Sequence, residues 1–387
     1  MSQPEQLTRS ARQRNLVAAC AAIVVFGFAM GLMFPLLSLL LERQGYGDDV
    51  IGLNAGMSPI GILVFSAFIP LAARRFGARA VTLAAALASG VIFIGYKAMP
   101  SLEAWFVLRF IQGITVSTLF VLSESWIVTF ADAGSRGRVV AIYAAALSAS
   151  FGAGPLLIGL IGIEGWLPFV IGMAVLVAAM VPLAMVREPP QPDEAPGAAS
   201  TLMAFARKAP MLLAAVGMFA IFDAATLSLI PVYGVRLGLD VKTAAYALSV
   251  LVMGNIILQF PIGWLADRFD KRTVMAGLAL ATALLLLALP AAMGTALMWP
   301  VLFVAGATGY GIYTVALAAL GERFSGRELV QGAAAFATMW GSGALIGAVL
   351  GGTMMNWFGP HGLPLSLAAA LALFVAGTAI RVRMLAR

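Results

Sequence analysis

The sequence predicts an all-α integral membrane protein of twelve transmembrane helices, grouped as two pseudo-symmetric six-helix bundles. Three observations lead there: too few charges for a water-soluble surface, apolar runs of membrane-spanning length, and a lopsided share of Lys and Arg between alternate loops. Only 11% of the 387 residues are charged and mean hydropathy is +0.98, whereas soluble domains are about a quarter charged. Much of any folded surface stays exposed, so no soluble packing hides this much apolar area.

A bilayer core of about 30 Å takes about 20 residues of helix. The first apolar run, 16–41, follows a basic N-terminus as a secretion signal does. It exceeds a signal's apolar core of about 7–15 residues, and many spans follow, so it reads as a retained first helix. It holds Pro35 and the only cysteine, Cys20, which leaves no intramolecular disulfide or thiolate metal cluster. The second run, 50–73, carries Asn54 and leads into Arg74, Arg75 and Arg79; the third is 80–98. The fourth, 102–128, contains Arg109, Gln112 and, in "STLFVLSESWIVTF", Glu124. The fifth, 137–162, contains "GAGP" at 152–155, and the sixth is 165–186. "REPPQPDEAPGAAS" (187–200) then combines prolines with both charge signs and no apolar period, marking 187–209 as a flexible linker between a first bundle (1–186) and a second (210–387). The second half repeats the scheme: 210–236 with Asp223 and Pro231, 242–266 with Asn255 and Gln259, 273–292, 296–321 with Tyr310 and Tyr313, 328–356 with Trp340, and 362–382.

If these helices alternate in direction, nineteen of the 24 Lys and Arg fall on one side, four on the other, and Arg109 alone within a span. Cytoplasmic loops carry such an excess, so both termini are expected in the cytoplasm. The +7 net charge is therefore topological and gives no support for a nucleic-acid partner.

The halves look like relatives. "PLAARRFGAR" (70–79) and "GWLADRFDKR" (263–272), Pro35 and Pro231, Glu124 and Glu322, and "GAGP" and "GSGA" (341–344) recur at offsets between 189 and 198 residues. Parallel repeats about an axis normal to the membrane, with a site near the midplane, are a transporter architecture.

"GWLADRFDKR" resembles the signature loop of the major facilitator superfamily, G-x-L-a-D-r-x-G-r-k/r, with Asp270 in place of the glycine. "RFIQG" (109–113) resembles the family's R-x-x-Q-G pattern in helix 4. "GAGPLLIG" (152–159) resembles its helix 5 glycine–proline pattern, with Ile158 where the first of two paired glycines is expected. "SESW" and the downstream "RGR" are similar to a bacterial branch that includes the YcaD-like proteins. The resemblance implies twelve helices with the fold of that family, and a secondary transporter working by alternating access. It also implies a site in the bacterial inner membrane, and the helix 5 pattern points toward a branch resembling drug:proton antiporters. One departure stands out: Arg74 occupies the position equivalent to Asp267, so the first-half loop lacks the family's usual acid.

An intramembrane charge costs about 3 kcal/mol on insertion scales, so it should be paired or face an interior cavity. At the cytoplasmic end, Glu124 is expected to pair with Arg74, Arg75 or Arg79, and by the repeat Glu322 with Arg268 or Arg272. Asp267 is expected against the start of helix 11, where the helix dipole favours an anion. In the family such links help close the cytoplasmic gate; the alternative is salt bridges that serve assembly alone. Asp223 lies roughly 20 Å into its helix, near midmembrane. A carboxyl that deep, exchanging with water on either side, is the candidate for carrying protons or binding a cation, or else makes a structural hydrogen bond. Arg109, roughly 10 Å below the outer face, is expected to pair with a substrate carboxylate, to tune Asp223 across the cavity, or to snorkel outward. Asn54, Gln112, Asn255, Gln259, Tyr310, Tyr313 and Trp340 are candidate cavity residues, and interhelical hydrogen bonding is their common alternative. Gly154 and Pro155 form a candidate hinge-like contact between the bundles.

Neither a Walker sequence nor H-E-x-x-H, G-x-S-x-G or a Cys/His cluster occurs, so neither ATP-driven work nor familiar hydrolytic chemistry is expected, and no cofactor or metal. The expected partners are a small-molecule substrate, the proton and the lipid bilayer, with the monomer as the working unit. Efflux of small amphipathic or cationic compounds is the leading expectation. Proton-coupled uptake of a metabolite is the alternative, and a non-transporting receptor or scaffold the alternative of another class.

Overall fold

The computed structural model describes residues 9–130, 136–185 and 198–385. Among the described residues, the regular elements are all helical. They run α1 (Arg9–Arg43), α2 (Asp48–Phe65), α3 (Ile69–Phe76), α4 (Ala78–Ala98), α5 (Leu102–Phe130), α6 (Arg136–Ile161), α7 (Leu167–Ala184), α8 (Ala198–Lys208), α9 (Pro210–Arg236), α10 (Val241–Arg268), α11 (Lys271–Ala292), α12 (Met298–Arg323), α13 (Gly326–Phe358) and α14 (Gly362–Leu385). Twelve stretches are long and apolar enough to cross a membrane, with α2 and α3 counted as one. These two are separated by a 3-10 turn at Ser66–Phe68. Pro70 sits in the first turn of α3, where its missing N–H costs no helical bond.

Of the expected linker, 187–197 lies outside the described residues, while 198–208 forms the helix α8. The segment is ordered there because Phe205 is 2% exposed, packed 5.1 Å from Phe324 and 6.3 Å from Phe336. Lys208 also pairs with Glu328 at 2.5 Å.

Helix contacts repeat from half to half. In the first set, α1 packs on α5, α6 and α7, α2 on α5, and α4 on α5 and α7. In the second, α9 packs on α12, α13 and α14, α10 on α12, and α11 on α12 and α14. Exchanging the halves maps one set onto the other, and also maps the α2–α13 contact between the sets onto α6–α10.

The two sets meet closely at the end remote from the Arg-rich loops. A Cβ on Gly52 would lie 2.4 Å from the Ala348 carbonyl oxygen, and one on Gly352 would lie 2.3 Å from that of Asp48. The α6–α10 contact runs from Gly159 against Tyr246 to Gly152 against Val252 and Ile256. Beyond it, toward the Arg-rich end, Gln259, Phe260, Trp264 and Asp267 on α10 are exposed. The helices thus seal one end and part toward the basic one.

Candidate functional site

Helix α9 carries the deep acid. Asp223 is 5% exposed and accepts a hydrogen bond from Trp340 Nε1 of α13 at 3.2 Å. The Tyr310 hydroxyl of α12 lies beside the carboxylate and the Thr226 hydroxyl, without an aligned hydrogen bond of its own. Rings at helical spacing close the surroundings: Phe222 stands edge-on to Tyr310 at 5.7 Å, and Phe219 stacks on Tyr313 at 4.8 Å. Three expected cavity residues, Tyr310, Tyr313 and Trp340, thus gather around or next to Asp223. No ion pair reaches this carboxylate among the described residues. Phe219 and Thr226 were not singled out in the sequence; their positions four before and three after Asp223 place them on its helix face.

Arg109 lies in the other bundle. It is 0% exposed, donates from Nη1 to the Met33 carbonyl at 3.3 Å, and sits 4.4 Å over the Phe34 ring. Its Nε and Nη2, both side-chain polar atoms of Asn54, and Nε2 of Gln112 have no protein partner. Gln112 accepts from the Tyr96 hydroxyl at 2.8 Å, and Ser58 donates to the Arg109 carbonyl at 3.0 Å. Two expectations change here. Arg109 neither snorkels nor pairs with Asp223 in this state. Asn54 and Gln112, each 1% exposed, face the interior of the first bundle rather than a cavity between bundles. The reason for Asn54 is azimuthal: Gly52 and Gly56 turn toward α13, and a residue midway between them on a helix points the opposite way. Asn255 is half-buried, while Gln259 lines a cleft of about 500 Å³ with Phe260, Trp264 and Asp267.

The basic end departs from expectation at each acid. Glu124 is exposed and forms no ion pair with Arg74, Arg75 or Arg79. Arg75 lies over Phe76 at 5.4 Å, and Arg79 donates to the Ala184 carbonyl at the end of α7. Glu124 lies instead within electrostatic reach of Tyr143 on α6 and Tyr313 on α12. Glu322 pairs with Lys271 at 2.6 Å rather than with Arg268 or Arg272. Lys271 opens α11, which packs on α12, whereas Arg268 folds back over Trp264 at 4.5 Å and Arg272 is exposed. Asp267 is exposed in the open cleft and does not dock on the start of α13. The Gly154–Pro155 hinge also moves: a Cβ on Gly154 would meet the Gly31 backbone of α1 at 2.2 Å, a contact inside the first bundle. Gly152 and Gly159, on the other face of α6, make the contact with α10.

A family model described as Major Facilitator Superfamily matches residues 19–320 and, overlapping, 237–384. The MFS-type transporter YfkF of Bacillus subtilis (strain 168), itself uncharacterised, is 25% identical over 342 residues, 87% of each chain. The likewise uncharacterised MFS-type transporter YcaD of Salmonella dublin is 25% identical over 365 residues, 94% of each chain. Among solved structures, the nucleoside transporter NupG superposes with a TM-score of 0.75 at 14% identity, over 96% of this chain and 98% of that one. A bacterial homologue of the human lysosomal transporter Spinster, inward-facing and unoccupied, gives 0.73 at 14% identity, over 97% and 96%. A D-xylose–proton symporter gives 0.71 at 17% identity, over 95% and 98%. With twelve membrane-length helices, two halves packed alike and a family match across nearly the whole chain, this protein belongs to the Major Facilitator Superfamily.

Proposed function

We propose that the protein is a proton-coupled secondary transporter that exports small amphipathic or cationic compounds by alternating access. The bundles 1–186 and 210–387 rock about the central site in the inner membrane of a bacterial cell, with 187–209 and both termini cytoplasmic, and one chain suffices. The opening toward the Arg-rich end is then an inward-facing state.

The observation that carries the reading is Asp223: a carboxylate in the middle of α9, 5% exposed, held by an indole N–H and without a cation beside it among the described residues. Trp340 supports the charged acid, while a protonated acid adds a donor that the nearby phenol oxygen can accept. Both states are thus accommodated, as a proton carrier requires, and ionisable groups inside a membrane mark such relays. The rings of Phe219, Phe222, Tyr310, Tyr313 and Trp340 offer an apolar, electron-rich wall that suits amphipathic cations. Uptake of a metabolite with protons is the second reading; the proton in the name of the D-xylose–proton symporter favours coupling by itself, without setting direction or cargo.

Proteoliposomes given a pH gradient test it, with ethidium and tetraphenylphosphonium as probes. Wild-type protein is expected to move them against their gradient. Asp223→Asn is expected to lose that flux at least tenfold while keeping its elution volume and thermal midpoint. Wild-type pH dependence in this variant would refute the role of Asp223.

A further inference from the structure

We propose that Glu124, together with Tyr143 and Tyr313, binds the positive charge of a small organic cation between the two bundles. The proposal deepens the transport reading above and rests on it for the substrate class.

Glu124 lies on α5, roughly 9 Å from that helix's basic end at 1.5 Å per residue. On its own face of the helix, three, four and seven residues away, Ile127 and Ser117 are buried and Phe120 is half-buried, so this face turns into the protein, yet Glu124 itself is exposed. The opening it meets lies between the bundles. The tyrosines within its electrostatic reach come from both sides: Tyr143 from α6 in the first bundle, Tyr313 from α12 in the second. Helix α5 packs on α1, α2 and α4, and α12 on α9, α10 and α11, so Glu124 and Tyr313 belong to opposite bundles.

A carboxylate at this depth needs compensation. No Lys, Arg or His supplies it among the described residues. What the protein does supply is two aromatic rings, each fixed in place. The Tyr143 hydroxyl shares a hydrogen bond with Ser123 Oγ at 2.9 Å. Tyr313 stacks on Phe219 at 4.8 Å and meets Phe336 at 6.4 Å. An acid that faces electron-rich rings and lacks a cation of its own is complementary to a cation brought from outside, through charge and ring quadrupole together. Rings already held in place lower the ordering cost of binding. The arrangement also separates the cation from the proton. Phe219, on which Tyr313 stacks, precedes Asp223 by four residues, or about one helical turn. A cation entering from the basic end meets Glu124 and Tyr313 first, with Asp223 one turn beyond.

Equilibrium dialysis of the purified full chain at pH 8 tests the site, with tetraphenylphosphonium and ethidium as cations and triphenylphosphine oxide as a neutral aromatic of similar size. Wild-type protein is expected to bind a cation saturably. Glu124→Gln should weaken cation binding at least tenfold and leave the neutral compound unchanged, and Glu124→Asp should restore most of it. Failure of the Asp223 assignment appears as wild-type flux and pH dependence in Asp223→Asn, and failure of this one as wild-type cation binding in Glu124→Gln. Should Glu124→Gln fail to fold, carbodiimide labelling of wild-type Glu124, read by mass spectrometry, replaces it: tetraphenylphosphonium should protect and triphenylphosphine oxide should not. Equal cation affinity in Glu124→Gln, a wild-type protein that binds neither cation, or equal labelling with and without tetraphenylphosphonium each overturns the proposal.

Discussion

A guanidinium with 0% exposure and two nitrogens lacking protein partners has surrendered its hydration for one carbonyl and one phenyl face, with the Tyr96 hydroxyl within electrostatic reach. Such a charge is weak evidence for stability, because an apolar side chain of similar length often fits as well or better. Arg109→Met is therefore expected to hold its thermal midpoint within a few degrees while gradient-driven flux falls. Arg109→Ala, which also opens a cavity, should lose about 2–5 kcal/mol. Thermal denaturation and flux measured on the same preparations check this, and a matching loss of stability in both variants would reduce Arg109 to a packing residue. Asp223 and Arg109 were legible as buried charges because each stands alone in a long apolar run. The direction of Glu124 was not legible. Its place near a helix end fixes its depth, but the choice between Arg74 on one side and Tyr313 on the other is a matter of azimuth, which depends on how α5 is rotated in its bundle.

Among the elements, two kinds of close approach look alike in sequence and differ in consequence. Gly254 and Gly306 join α10 to α12 inside one bundle: a Cβ on Gly254 would fall 1.8 Å from the Phe303 carbonyl oxygen, and one on Gly306 would fall 1.8 Å from that of Leu251. Gly352 instead joins α13 to α2 across the bundles, against the Asp48 carbonyl. Gly254→Ala is expected to destabilise the protein in any conformation, by about 1–3 kcal/mol as overpacking does. Gly352→Ala should disfavour only the state closed at the far end. With Cys20→Ser removing the lone thiol, disulfide formation between Asp49→Cys and Asn356→Cys reports that closure: it should drop in Gly352→Ala and persist in Gly254→Ala. The signature loops show the same limit of sequence reading. Gly77 takes a left-handed backbone (φ 86) before α4, whereas Asp270, its counterpart, accepts from the Thr273 N–H at 3.0 Å and caps α11. The departure from the family pattern at Asp270 is a helix cap, which accounts for it without a gating role. Likewise Asp240 caps α10, and the Thr243 hydroxyl and backbone N–H together hold its carboxyl below the usual carboxylate range.

For the whole molecule, recurrent offsets in the sequence foretold two halves packed alike, because a duplicated hydrophobic pattern buries the same faces twice. The state of the assembly was beyond reach, since conformers separated by a few kcal/mol share one sequence and one set of spans. What holds the present state includes a charge contact absent from the sequence expectations. Arg236, at the end of α9, reaches Asp48 at 3.3 Å and Glu42 at 3.8 Å, and donates to the Tyr46 carbonyl at 3.3 Å. It ties the second bundle to the first where they are sealed. Arg236 is 34% exposed, so solvent screens the contact and each pair adds no more than about 1 kcal/mol. That is still enough to tilt a balanced equilibrium about fivefold, since 1.4 kcal/mol corresponds to a factor of ten. Arg236→Gln is expected to lower the Asp49→Cys to Asn356→Cys disulfide yield about threefold, because a fivefold tilt takes the closed fraction from about one half to about one sixth. Raising salt from about 0.05 to 0.5 M should do the same to the wild type and little to the variant, because an exposed pair weakens as the Debye length shrinks. Adding Asp48→Arg to Arg236→Glu should recover the yield by restoring the attraction in reverse. If the yield is blind to Arg236→Gln and to salt, the seal is held by the glycine-lined α2–α13 contact alone, and the charges at its rim are passengers.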